Sequence, residues 1–270
     1  MSKTMNALTL SCSLLIAAPT IVLADAKLKD VIVNEQRNAE NSARDQYRHP
    51  YETLTFFGVT SDMKVAEIWP GRGWYTEILA PWIKQGDGSL IAAGFPNDMG
   101  PDWRHGIREA YNSWLTNNVN ELGNVSIIEF GPGHWQIAPD NSLDAVLTFR
   151  NVHNWVQGDI ADEAFVSMFN ALKPGGILGV TDHRAKPDTD LATMKKTGYL
   201  TESLVIELAE KAGFELVAKS DINANANDDT DHPNGVWTLL PNLRVDEADK
   251  AAYRAIGESD RMTLKFVKPE

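Results

Sequence analysis

Five short apolar runs recur between residues 64 and 181: Lys64–Trp69, Ser89–Ala93, Val125–Phe130, Leu143–Phe149 and Ile177–Thr181. Each is short, rich in β-branched and apolar residues and bounded by turn residues, which predicts strands one to five. Between them lie segments of helical period: Tyr75–Ile83, stopped near Gly86-Asp87-Gly88, Arg104–Asn117, and Ile160–Leu172, broken by Pro174-Gly175-Gly176. Arg104–Asn117 gathers Ile107, Ala110, Tyr111, Trp114 and Leu115 on one face. A further helix, Thr201–Lys211, stops at Gly213, and two late strands follow at Phe214–Ser220 and Met262–Val267. Upstream, residues 27–46 read as one polar helix with a thin apolar stripe, and Leu54–Phe57 as a short apolar stretch before the first strand. Alternating strands and helices predict a single α/β domain: βαβ units, a mostly parallel sheet and helices on both faces, the Rossmann-like three-layer sandwich.

In such sheets ligands bind beyond the carboxyl ends of the strands, near the switch point. The first strand ends in Glu67 and runs into Trp69-Pro70-Gly71-Arg72-Gly73-Trp74-Tyr75. Strand, glycine turn, helix is the geometry of a nucleotide-type cofactor site, because glycine admits a close backbone approach and the new helix presents free N–H groups. After strand two comes Gly94-Phe95; after strand three, Gly131 to Trp135 with His134; after strand four, Arg150-Asn151-Val152-His153; after strand five, Asp182-His183-Arg184. These segments are expected to converge on one rim. A histidine there can act as a base or a metal ligand. His153 and His183 are the catalytic candidates, with Asp182 as orienting partner. Arg150 either faces a bound carboxylate or pairs with Asp182 or Glu67.

The charge of −12 argues against nucleic acid and anionic membrane surfaces as partners. A small molecule is the expected partner, and nothing in the pattern specifies an oligomer. Residues 1–24 read as a secretory signal peptide: Lys3, then Leu14-Leu15-Ile16-Ala17-Ala18, then a small-x-small site at Val22-Leu23-Ala24, with Ala24-Asp25-Ala26 as a second candidate. The apolar segment with Pro19 is too short for a stable membrane span, which needs ~20 residues. The expected location is the periplasm. The single cysteine, Cys12, lies inside that segment. The mature domain, from residue 25 to 270, would have no disulfide, thiolate metal site or cysteine nucleophile.

The chain resembles the class I S-adenosylmethionine-dependent methyltransferases, and within them a group of exported proteins with a Trp-Pro-Gly-x-Gly-Trp-Tyr-Thr loop. The residues that carry the resemblance are Val65–Thr76, Leu143–Trp155, Leu172-Lys173-Pro174-Gly175-Gly176-Ile177-Leu178 and Ala212-Gly213-Phe214. The resemblance implies a seven-stranded sheet whose last strand inserts antiparallel, and S-adenosylmethionine as cofactor. It implies that Glu67 meets the amino-acid end of the cofactor and that Pro70, Gly71, Gly73, Trp74, Tyr75, Phe95, Arg150 and Asn151 surround it. Two departures stand out. Trp69 replaces the family's first glycine, and Ala92-Ala93-Gly94-Phe95 lacks the acid that holds the ribose hydroxyls, Asp98 being the nearest.

Methyl transfer to a small-molecule acceptor is the leading expectation, with Tyr47 and Arg48 placed to close over the substrate. Export of a protein whose cofactor is made in the cytoplasm keeps a second expectation in play, a small-molecule-binding protein on the same fold. A third is a metal-assisted hydrolase or lyase built on His153, His183 and Asp182, although their spacing matches no metal signature.

Overall fold

The computed structural model describes residues 26–270, so the predicted signal segment and Cys12 lie outside the described residues. One sheet carries β1 Lys64–Ile68, β2 Ser89–Gly94, β3 Val125–Glu129, β4 Leu143–Phe149, β5 Leu172–His183, β6 Glu215–Ser220 and β7 Arg261–Val267. Their order is β3-β2-β1-β4-β5-β7-β6. The first five strands pair in parallel, and β7 runs antiparallel to both β5 and β6. This is the Rossmann-like α/β sandwich with an antiparallel last strand.

Alternation along the strands sends side chains to opposite faces. On β1, Val65 joins the apolar cluster of Leu54, Phe57, Ile78 and Trp82, whereas Ala66 and Ile68 join that of Trp155, Phe165 and Phe266. On β4, Leu147 and Val146 divide in the same way. Both central strands are thus buried on two faces, in keeping with their mostly apolar sequence, which Glu67 interrupts on β1 and Asp144 on β4. The edge strand β6 instead alternates exposed and half-buried positions.

Three segments depart from the sequence-based expectation. The single polar helix over 27–46 is instead three short helices, Ala26–Ile32, Ala39–Ser42 and Asp45–Arg48. Asn38 caps the second by accepting from the Glu40 amide, and Arg37 is clamped to the Ile32 carbonyl and the Asp45 carboxylate. Tertiary and capping bonds override the weak helical period. Leu54–Phe57 is the end of a helix, Pro50–Phe57, begun by a proline whose missing N–H costs nothing there and closed by left-handed Gly58. β5 begins at Leu172, not Ile177, because Lys173 to Gly176 bulge out against Asp144 while Gly175 and Gly176 bond to Lys268. At its other end β5 includes Asp182 and His183, paired with Met262 and Arg261.

Register places the rim. Ile68 pairs with Ala93 and Thr148, and Phe149 with Thr181. Trp69, Arg150 and Asp182 therefore emerge side by side where β2 and β4 leave β1 in opposite directions. Among the described residues no helix is long and apolar enough to cross a membrane.

Candidate active site

A cleft of about 920 Å³ opens at this rim. Its floor is Glu67, Trp69, Pro70 and Gly71 from the end of β1, and Arg150, Asn151, His153 and Asn154 from the end of β4. Trp74, Tyr75 and the cap of Arg44 and Arg48 form one wall; Trp237 and Arg244 form another. Trp69 (φ 49°) and Arg150 (φ 64°) both take the left-handed conformation directly after a strand. For non-glycine residues this costs about 1–2 kcal/mol each, a cost that concentrates at functional sites. The Asn151 side chain holds the first of them, its Nδ2 donating to the carbonyls of Ile68 (2.8 Å) and Trp69 (3.3 Å) and to Thr148 Oγ1 (3.2 Å). That amide is therefore committed to the β1 turn, and only the remainder of Asn151 borders the cleft.

The turn glycines differ. Gly71 (φ +61°) has nothing within 4 Å of where a Cβ would stand, so its bare face looks into open space. Gly73 (φ +85°) points away from the cleft; a Cβ there would meet the Trp114 ring at 2.7 Å and Tyr111 at 3.0 Å. Its role is the close packing of the turn on the helix Asp102–Asn117. Phe95 also lies off the cleft wall, with its ring 4.8 Å from that of Trp69 and the Arg104 guanidinium above both. The Trp69 Nε1 donates to the Phe130 carbonyl at 2.8 Å, so this indole spans the ends of β2 and β3. The Trp74 indole turns the other way and donates to the Asn41 carbonyl at 2.9 Å. Neither ring closes the space beside Gly71.

Glu67 is buried in the cleft floor, accepts a 2.6 Å hydrogen bond from Thr76 Oγ1, and is pushed up to about 7 by its burial. It is a carboxyl group poised to ionise when a cation arrives. Tyr75 lies flat on Phe149, with centroids 3.4 Å apart.

The end of β5 meets the helix Val152–Gln157, which follows β4 and was not predicted. Asp182, fully buried, accepts from His153 Nδ1 at 2.9 Å and from the amides of His153 (3.2 Å) and His183 (2.7 Å). Since Nδ1–H donates to the carboxylate, His153 Nε2 carries the basic lone pair, which accepts from Asn154 Nδ2 at 3.0 Å. His183 accepts from Arg150 Nε at 3.4 Å and donates from Nδ1 to Ser259 Oγ. Burial, then His153 and Arg150 beside it, hold its pKa well below the usual histidine range, so it is neutral. The three predicted catalytic residues thus come together. Their nitrogen and oxygen atoms lie within 4.8 Å of one another, as a metal site would need. The Asp182 oxygens, however, are already occupied by three N–H donors.

Most of the cationic lining carried no sequence signal. Glu258 receives Arg44 Nε at 2.6 Å, Arg48 Nε at 3.1 Å and Arg261 Nη1 at 3.1 Å. Burial alone would raise this carboxyl, but Arg48, Arg261, Arg150 and Arg44 hold it well below the ordinary carboxylate range. Arg150 is itself pushed down to about 9 by burial and the neighbouring Arg48, with Glu258 opposing. His134 lies away from the cleft, between Glu129 (2.9 Å) and Asp98 (3.2 Å).

No family profile matches the chain, and no curated protein matches it. Solved structures do. An S-adenosylmethionine-dependent methyltransferase from Aquifex aeolicus superposes with a TM-score of 0.55 at 14% identity, covering 84% of this chain and 93% of that one. A candidate sarcosine dimethylglycine methyltransferase from Galdieria sulphuraria gives 0.57 at 13% identity over 92% of both chains. The fold is that of the S-adenosylmethionine-dependent methyltransferases. The cyclase SpnF shares it too, at 0.56 and 16% identity over 88% of this chain and 85% of that one. At such identities the likeness is one of fold, and the activity has to be argued from the site.

Proposed function

We propose that this protein transfers a methyl group from S-adenosylmethionine to a small-molecule acceptor. The observation that carries the reading is the rim cleft where bare Gly71 backbone and the buried Glu67 carboxyl stand opposite a carboxylate-held histidine. These residues fit the cofactor. Gly71 leaves room for close approach, and Glu67 offers a carboxylate to an ammonium group. Trp69 and Trp103, both on the cleft, present aromatic faces where the family's ribose acid is missing. When bound, the cofactor supplies a methyl group already activated on a sulfonium sulfur.

The chain has then to orient the acceptor and remove its proton. His153 Nε2 is the base, and Asp182 fixes its tautomer and stabilises the imidazolium that forms. His183, kept neutral, holds Arg150 in place and adds no charge. Residues 1–24 are proposed to export the chain to the periplasm. Isothermal titration of the purified protein with S-adenosylmethionine and S-adenosylhomocysteine decides the reading. Binding of both in a folded sample is expected; heat from neither removes the proposal.

A further inference from the structure

We infer that the acceptor is an organic anion, a small molecule anchored by a carboxylate or phosphate group on the guanidinium groups of Arg48 and Arg150. The inference rests on the methyl-transfer reading above, although the anion site itself is argued independently of it.

The chain as a whole is strongly acidic, with a formal charge of −12. The cleft has the opposite sign. Six arginines line it (Arg44, Arg48, Arg72, Arg104, Arg150 and Arg244) against one carboxyl, Glu67, which is half-protonated near pH 7. A charge reversal of this kind, confined to one concavity, focuses an attractive potential on anions.

The pairing inside the cluster points the same way. Glu258 is one carboxylate facing the guanidiniums of Arg44, Arg48 and Arg261, with Arg150 close enough to shift it. Asp260 also faces Arg261, but it is engaged with Arg184 through both oxygens. Arg44 Nη2 is buried without a partner. Among the described residues the Arg150 guanidinium makes one hydrogen bond, to neutral His183, and no ion pair. Guanidiniums in a half-desolvated site with too few carboxylates are costly unless a ligand completes them. A planar fork of N–H donors is shaped for the two oxygens of a carboxylate or phosphate.

The cofactor cannot be that counter-charge in full, since its sulfonium is a cation in an already cationic cleft. An anionic acceptor offsets both. The two ligands are then coupled, each raising the affinity of the other. Trp237 and the stacked Tyr75–Phe149 pair line the same cleft and give the anion's apolar body a surface.

Calorimetry on the purified protein tests this with three ring compounds: benzoate, phenyl phosphate and neutral benzyl alcohol. Heat from benzoate or phenyl phosphate but not from benzyl alcohol is expected, and the stronger of the two tells carboxylate from phosphate. Arg150→Gln should weaken that binding about tenfold or more, the loss of a charge-assisted pair, with Arg150→Lys retaining part of it. Far-ultraviolet dichroism checks that both variants fold. The affinity should also fall as salt rises. Absence of heat with both anions, in protein that does bind S-adenosylhomocysteine, overturns the inference alone. Anion binding abolished by saturating S-adenosylhomocysteine overturns it as well, since the arginines then hold the cofactor's own carboxylate. Anion binding without any response to either adenosyl compound removes the methyl-transfer reading and leaves the arginine site standing.

Discussion

Replacing Glu67 by glutamine separates the cost of this carboxyl to the fold from its use to a ligand. Glu67 is raised from an ordinary 4.5 to about 7, with burial as the cause and the Thr76 hydroxyl partly opposing it. That difference corresponds to about 3 kcal/mol favouring the neutral form. The folded-state pKa lies above the unfolded one. The stabilisation is therefore complete below about pH 4.5 and is lost as pH rises through 7. Glutamine keeps the acceptor for Thr76 and cannot ionise. Glu67→Gln and the native protein should thus be similarly stable at pH 4.5, and the variant more stable by about 2–3 kcal/mol at pH 8.5. Urea denaturation at the two pH values measures this. Ligand binding should run the other way. A cofactor ammonium needs the carboxylate, so each pH unit below 7 requires an added ionisation and weakens binding about tenfold. Neutral His183 contributes no slope above its own depressed range. Titration with S-adenosylhomocysteine from pH 5.5 to 8.5 should show that slope in the native protein and none in Glu67→Gln, which binds weakly throughout. Equal affinities for the two proteins at pH 8.5 would falsify the assignment of Glu67 to the cofactor.

Asp182→Asn should lower methyl transfer by about 10²–10⁴-fold, the usual worth of a positioned base, while S-adenosylhomocysteine affinity stays within about twofold; a matching loss of affinity would mean that Asp182 builds the cofactor site instead. Gly73→Ala should destabilise by roughly 2 kcal/mol or more, because its Cβ would stand 2.7 Å from the Trp114 ring at a left-handed φ. Gly71→Ala, facing open space, should cost only about 1 kcal/mol of backbone strain yet weaken cofactor binding, and thermal melts beside calorimetry distinguish the two. Glu258→Gln leaves Arg44, Arg48 and Arg261 without their shared carboxylate and should cost about 3–5 kcal/mol in urea denaturation, so a cost below about 1 kcal/mol would show the cluster to be well solvated.

The parts of this fold that were legible are those where local pattern and tertiary burial agree. β4 and the Ile177–Thr181 part of β5 read as largely apolar runs because both of their faces are covered, and the strand-end rule then delivers Glu67, His153, Asp182 and His183 to one rim. The misreadings have the opposite cause. The helix Val152–Gln157 has only six residues, so its buried Val152, Trp155 and Val156 complete barely more than one turn of helical period, too little to read as a helix. The N-terminal polar run looked helical throughout, yet Arg37 and Asn38 form bonds that a continuous helix would forbid. The turn showed two glycines of equal standing. Only the position of Trp114, forty-one residues further on from Gly73, makes one a packing residue and leaves the other open to a ligand.

The arginine cluster marks the limit of such reading. Arg44, Arg150 and Glu258 lie about a hundred residues apart in sequence, on the N-terminal cap, the β4 end and the segment before β7. Arg150 stood out by its place at a strand end, but Arg44 and Glu258 are unremarkable among their neighbours, and the acidic total hides the group. What creates the site is topology. The inserted antiparallel strand brings Glu258 and Arg261 back to the rim that the parallel strands define, and the cap folds over them. A single carboxylate can hold that corner together but cannot neutralise it. The shared fold occurs in a methyltransferase and in a cyclase alike, so the fold does not by itself name a ligand. In this chain the choice falls to the guanidiniums left over once Glu258 is satisfied, and their sign selects for an anion.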